Sequence, residues 1–192
     1  MRQLYFIVFT VSILISCNSN KKQKAIQQTN TDTTAFFPVN DYLSNDIEDV
    51  QKTPYLIIKK VYENKILKDS IVINAKEFTA LANIFLSKNI TQPQLHSLYK
   101  PSLFNDLSTQ SITFTYDALR DTLPVRSVMI LLNDETNKLK NVFITSVNTS
   151  NNTIINERLT WNAGKNFSIH HDIKKENLPE TIETTIVSWN DK

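Results

Sequence analysis

Between Ser111 and Trp189 the chain alternates apolar and polar residues in six short runs, separated by links too short to hold a crossover. The runs are Ser111 to Tyr116, Val125 to Asn133, Leu139 to Thr149, Thr153 to Trp161, Lys165 to Ile173 and Thr181 to Trp189. A parallel pair of strands needs a connection of a dozen or more residues, so these segments are expected to pair antiparallel, each with the next. This meander constrains the fold more than any other feature. Val125 to Leu132 (VRSVMILL) is apolar at both parities and is read as an interior strand. Thr181 to Trp189 alternates poorly and is read as an edge.

The first half of the chain supplies what covers the sheet. Val39, Leu43, Ile47 and Val50 recur at spacings of three and four behind Pro38, which predicts a helix over 38–50 closed by Pro54. Tyr55 to Tyr62 and Ile66 to Ile73 are rich in β-branched residues around Glu63-Asn64-Lys65, which predicts a hairpin. Asn74 and Glu77 have the capping-box spacing, and Phe78, Leu81, Ala82 and Phe85 follow on one helical face, with Asn89 as a stop. Residues 90–110, with Pro93 and Pro101, are read as an irregular connection. The expected fold is α+β: a curved antiparallel sheet of about 8 strands with the helices packed on one face.

The sequence has one glycine, Gly164, against 21 asparagines. Turns that need a left-handed residue must therefore draw on Asn and Asp, which tolerate that region better than other side chains. A glycine-rich phosphate loop is excluded, and no cofactor-binding pattern is present. Lys and Arg total 21 against 19 Asp and Glu, a balance that gives no footprint for nucleic acid or another polyanion.

The N-terminus has its own organisation. Arg2 precedes an apolar run from Leu4 to Ile15, too short to span a bilayer, which needs about 20 residues. Such a start reads as an export signal. Leu14-Ile15-Ser16-Cys17 resembles the bacterial lipobox, and Cys17 is the only cysteine. The resemblance implies cleavage between Ser16 and Cys17 and acylation of the Cys17 sulfur, which holds the protein to a bilayer. With no second thiol, no disulfide stabilises the domain. Residues 17–35 are Asn, Lys, Gln and Thr with almost nothing to bury, and are expected to form a disordered tether. No acid follows Cys17 before Asp32, unlike inner-membrane retention signals or acidic surface-export tethers; the expected address is the periplasmic face of the outer membrane. Residues 36–192 are expected to form a single domain.

Candidate chemistry is sparse. His170 and His171 are adjacent on a strand, so they point to opposite faces and cannot share a metal. His170 with Asp172 and a distant His96 is a poor ligand set, and no metal site is assigned. Ser97-Leu98-Tyr99-Lys100 has the Ser-x-x-Lys spacing of penicillin-binding enzymes, but the flanking prolines oppose the helix that spacing requires. Asp46, Glu48 and Asp49 read as the solvated face of the first helix. No catalytic residues are assigned. Trp161, Phe167, Tyr116, Phe114, Phe143 and Trp189 serve a core in the ordinary reading. The alternative is an aromatic-lined concavity in which Trp161, Phe167 and His170 face a ligand or partner.

Phe36-Phe37-Pro38-Val39-Asn40-Asp41-Tyr42-Leu43, the connection containing Ile90 and the run Leu159 to Ile169 resemble a group of small lipoproteins of the Bacteroidota. The most specific part is Trp161-x-x-Gly164-Lys165-x-Phe167. The resemblance implies an envelope location and this domain layout, and carries no activity. A non-enzymatic binding module of the cell envelope, with an envelope component as partner, is the expectation. A carrier or sensor of an apolar ligand and a hydrolase with an unrecognised site are the alternatives.

Overall fold

The structure, a computed structural model, describes residues 36–190. The readings made for Ser16, Cys17 and the rest of residues 1–35 lie outside the described residues. Helix α1 (Val39–Lys52) is followed by β1 (Ile57–Glu63), β2 (Ile66–Ile73) and α2 (Ala75–Leu86). A 3-10 turn (Pro93–Leu98) then leads into β3 (Tyr99–Asp106), β4 (Ser111–Ala118), β5 (Val125–Asn133) and β6 (Leu139–Ser150). The sheet is completed by β7 (Thr153–Asn162), β8 (Asn166–Lys175) and β9 (Thr181–Ser188). All nine strands form one antiparallel sheet in the order β2-β1-β9-β8-β7-β6-β5-β4-β3. Its two edges are different strands, so the sheet stays open, and both helices pack on one face.

Local signals explain the helices. In α2 the Asn74 side chain accepts from the Glu77 backbone N–H, and the Glu77 carboxylate accepts from the Asn74 N–H, completing the capping box. Val39, Leu43, Ile47 and Val50 of α1 and Phe78, Ala82 and Phe85 of α2 are buried. They close over a cross-strand row, Val142–Trp161–Phe167–Val187, whose members are fully buried. Trp161 and Phe167 are directly opposed and their rings stack at 5.2 Å. Phe85 meets both rings edge-on at 5.1 and 5.3 Å, and Phe78 meets Trp189 edge-on at 5.1 Å. Such pairs add about 0.5–1.5 kcal/mol each beyond the area they bury.

The turns are built from asparagine, as the lack of glycine requires. Asn64, Asn137, Asn151, Asn152 and Asn177 take positive φ, joined by Lys65 and Gln110. Gly164 has φ +67° in the β7–β8 turn.

Three sequence expectations are corrected. Residues 99–106, read as irregular, form β3, the ninth strand and a sheet edge. Pro101 has no N–H to donate, which an edge strand tolerates. The Thr181 segment, read as an edge, is an interior strand, because β1 pairs along its free side from Ile58–Ser188 to Glu63–Glu183. The helix read over 38–50 starts at Val39, with Pro38 just outside it, and runs on to Lys52. β5 is interior as expected; Val128, Ile130 and Leu132 on the helix side and Val125 at its start are buried, whereas Met129 on the other side is exposed.

Candidate functional site

The three histidines are placed by strand parity and by one turn. His96, in the 3-10 turn, stacks on Phe36 at 4.0 Å, and its Nε2 lies 3.0 Å from the Thr91 carbonyl. His171 and His170 project from β8 to opposite faces, as their adjacency dictates.

On the helix side, register sets Ser146, Glu157, His171 and Glu183 in one cross-strand row, one step beyond the buried rows. Lys88, which follows α2, reaches down onto this row. The Glu157 carboxylate accepts from Ser146 Oγ at 2.6 Å, lies 2.5 Å from Lys88 Nζ and contacts His171 Nε2 at 3.0 Å. Burial pushes the Glu157 carboxyl up, but bonds from His171, Lys88 and Ser146 outweigh it and hold the pKa at about 2. The carboxylate sits between the hydroxyl and the imidazole. A nucleophile needs the base on the hydroxyl itself, so this cluster clamps α2 to three strands rather than activating Ser146.

On the helix-free face the order is different. His170 Nδ1 lies 2.8 Å from Thr184 Oγ1 and Nε2 lies 2.9 Å from Asp172 Oδ1, with Arg158 3.2 Å from Asp172 Oδ2. Hydroxyl, imidazole and carboxylate are in the sequence that base-assisted attack uses. Thr184, however, stands mid-strand, and the ladders on both sides of β8 and β9 engage their backbone. The backbone N–H donors that would steady an oxyanion are thereby occupied. The array links three strands, with both His170 ring nitrogens engaged.

The same face carries rows of polar side chains beyond the histidine. Thr115, Met129, Phe143, Thr160 and Ser168 form one cross-strand row, and Asn141, Asn162 and Asn166 part of the next. Asn141 Nδ2 donates to Asn162 Oδ1, and Asn162 Nδ2 to Asn166 Oδ1, so the amides form a directed chain across three strands. Met129 and Phe143, directly opposed, are each 37% exposed.

The remaining candidates fall elsewhere. Trp161 and Phe167 have no exposed surface; of the three residues considered as ligand- or partner-facing, only His170 reaches the outside. The rings that would line a concavity fill it. Ser97 ends in the 3-10 turn and Lys100 in β3, so no single helix presents the two together. Asp46, read as solvated, accepts from Trp161 Nε1 at 2.9 Å and from the Gly164 N–H at 3.0 Å. It ties α1 to the β7–β8 turn, a contact 115 residues apart that no local pattern signals. Two open surface depressions, of about 490 and 440 Å³, are lined by Gln51, Lys76 and Thr79 and by Thr149, Asn152 and Lys174 respectively. Neither includes any of the three histidines. Among the described residues no group of three or more His, Cys, Asp or Glu is placed to hold a metal, and no helix is long and apolar enough to cross a membrane.

No protein-family model, curated protein or solved structure matches the chain.

Proposed function

We propose that this chain is a lipid-anchored protein of the bacterial envelope, akin to the small Bacteroidota lipoproteins that its N-terminus and Trp161–Phe167 hairpin resemble. Its domain acts as a binding module that recognises another envelope component through the helix-free face of the sheet. Cys17 carries the acyl chains, and each buried methylene contributes about 0.8 kcal/mol to retention. The lack of an acid directly after Cys17 favours the outer membrane, facing the periplasm.

The observation that carries the binding role is that face. An open sheet presents Thr, Ser and Asn rows around the exposed Met129–Phe143 pair, and no described element covers them. Amide and hydroxyl groups fixed on a rigid sheet lose little entropy when they meet a partner, and an apolar pair inside a polar surround has the anatomy of a small interface. The hydrolase alternative lacks a hydroxyl activated inside a depression. The apolar-carrier alternative has its space taken by Phe78, Phe85, Trp161, Phe167 and Trp189.

The anchor is tested by mass spectrometry of the membrane-extracted protein: a diacylglyceryl adduct on Cys17 is expected, and a free thiol refutes it. The binding face is tested by photocrosslinking in cells from Phe143 and Thr160 on the open face and from Thr79 on α2. A discrete adduct from the first two, abolished by Met129→Lys, is expected. Equal crosslinking from all three positions refutes the assignment.

A further inference from the structure

Four connections lie at one end of the sheet, and each carries an exposed large apolar side chain at or just beside its turn. Ile66 and Leu67 follow the β1–β2 turn, Leu119 opens the β4–β5 link, Ile154 follows the β6–β7 turn, and Leu178 lies in the β8–β9 turn. Their exposures run from 43 to 63% of full. Hydrogen bonds place these connections side by side. The Asn64 N–H donates to the Ile182 carbonyl, the Glu176 N–H to the Asn152 carbonyl, and the Val147 N–H to the Pro124 carbonyl. Each hairpin takes two strands, and strands are about 4.8 Å apart, so one apolar tip recurs about every 10 Å along this rim. Of the three hairpin turns at the opposite end, one, β3–β4, has a tip within the turn, Leu107; Leu56 ahead of β1, Val72 near the end of β2 and Phe104 near the end of β3 are also exposed there, but outside the hairpin turns.

Phe36 marks the same end. Its ring stacks on His96 at 4.0 Å and on Tyr116 at 4.6 Å, and the neighbouring Phe37 N–H donates to the Tyr116 hydroxyl at 2.9 Å. Tyr116 is two residues from the end of β4, and the Leu119 N–H donates to the carbonyl of Leu98, the last residue of the 3-10 turn. The chain thus enters the domain beside the apolar rim. The segment from Cys17 to Phe36 spans at most about 65 Å fully extended.

We infer that this rim is a membrane-contact surface, with Ile66, Leu67, Leu119, Ile154 and Leu178 dipping into the lipid interface on the side from which the chain enters. The inference rests on the anchored reading above. A protein partner needs a contiguous buried patch at the centre of its interface, which isolated tips about 10 Å apart do not provide. A fluid interface accepts each tip separately. Basic residues Lys65, Arg120 and Lys174 alternate with the acidic Glu63, Glu176 and Glu180 on the rim, so attraction to anionic headgroups is not the driving term and contact is expected to withstand salt. The lysine stems can lie along the apolar boundary with their charges in water.

The test uses the full lipidated chain in phosphatidylcholine–phosphatidylglycerol vesicles. Acylation consumes the Cys17 sulfur, so a cysteine introduced by Leu119→Cys, Leu178→Cys or, at the opposite end, Asn137→Cys is the only site for an environment-sensitive fluorophore. The two rim labels are expected to shift to the blue and to be quenched several-fold more by acyl-chain nitroxides than the Asn137→Cys label, in both low and 1 M salt. Equal quenching at the two ends overturns the inference, as does protection of the rim labels in native membranes but not in pure lipid, which assigns the rim to a protein. Failure of the anchor is read separately, as labelling of Cys17 itself and loss of flotation with the vesicles. In that event the unacylated chain is added to the same vesicles, and rim labels that stay in water overturn the inference.

Discussion

Replacing Glu157 by Gln removes the charge on which Ser146, Lys88 and His171 converge, and its cost can be worked from the structure. The folded carboxyl is held at about 2 against an ordinary 4.5, and that gap corresponds to about 3 kcal/mol of stability. Because the folded value is the lower one, the contribution is complete above pH 4.5. It declines as the pH falls toward 2, where the carboxylate takes up a proton in the folded state as well. A domain of this size has about 5–15 kcal/mol to spend in all, so the parent should lose a sizeable fraction of its stability across that window. Glu157→Gln should start about 3 kcal/mol lower at pH 7 and show a correspondingly flatter profile below pH 4.5, the two curves converging near pH 2. Urea unfolding followed by tryptophan fluorescence at each pH measures this directly, since Trp161 and Trp189 lie in the core. A variant whose stability falls in parallel with the parent from pH 5 to pH 2 would refute the reasoning, because the titrating group would then be elsewhere.

Asp46→Ala should cost about 1–3 kcal/mol by leaving the Trp161 indole N–H and the Gly164 amide without their shared acceptor, measured as a shift in the urea midpoint at constant slope. Gly164→Ala should cost about 1–2 kcal/mol through the left-handed backbone alone. A Cβ there meets nothing within 4 Å, so Gly164→Asn should recover part of the loss in thermal melts. Asn74→Ala should cost about 1 kcal/mol by opening the α2 capping box, read in the same melts.

What the sequence made legible was what is local. The second helix could be read because its cap and its apolar stripe are local, although it ends at Leu86 with Ser87 as its C-cap, short of the stop expected at Asn89; the asparagine turns could be read because so little glycine was available. β3 escaped because Pro93 and Pro101 broke its pattern, and Leu103 and Phe104 stand exposed on an edge rather than marking a buried face. The place of β9 was not legible, since nothing within Thr181–Ser188 signals a partner more than 120 residues upstream. The same holds for the Glu157 cluster. Ser146, Glu157 and His171 become neighbours only through the β6–β7 and β7–β8 registers, and Lys88 joins them only once α2 is laid on the sheet. His170 was recognised on the polar face by parity, but its contact with Thr184 again needed the β8–β9 register.

The pairing of β1 with β9 has a consequence for the order of events during synthesis. The hairpin made first must wait for β9, made 120 or more residues later, before it has a neighbour, and until then the β1 side of β9's future position is a bare flank. Closing a loop of that length is entropically dear, and non-local pairings of this kind slow folding. A copy in which β9 has not yet formed therefore leaves the β1–β2 hairpin without a place in the sheet, and the pairing of β1 with β9 is a late step in assembling the domain.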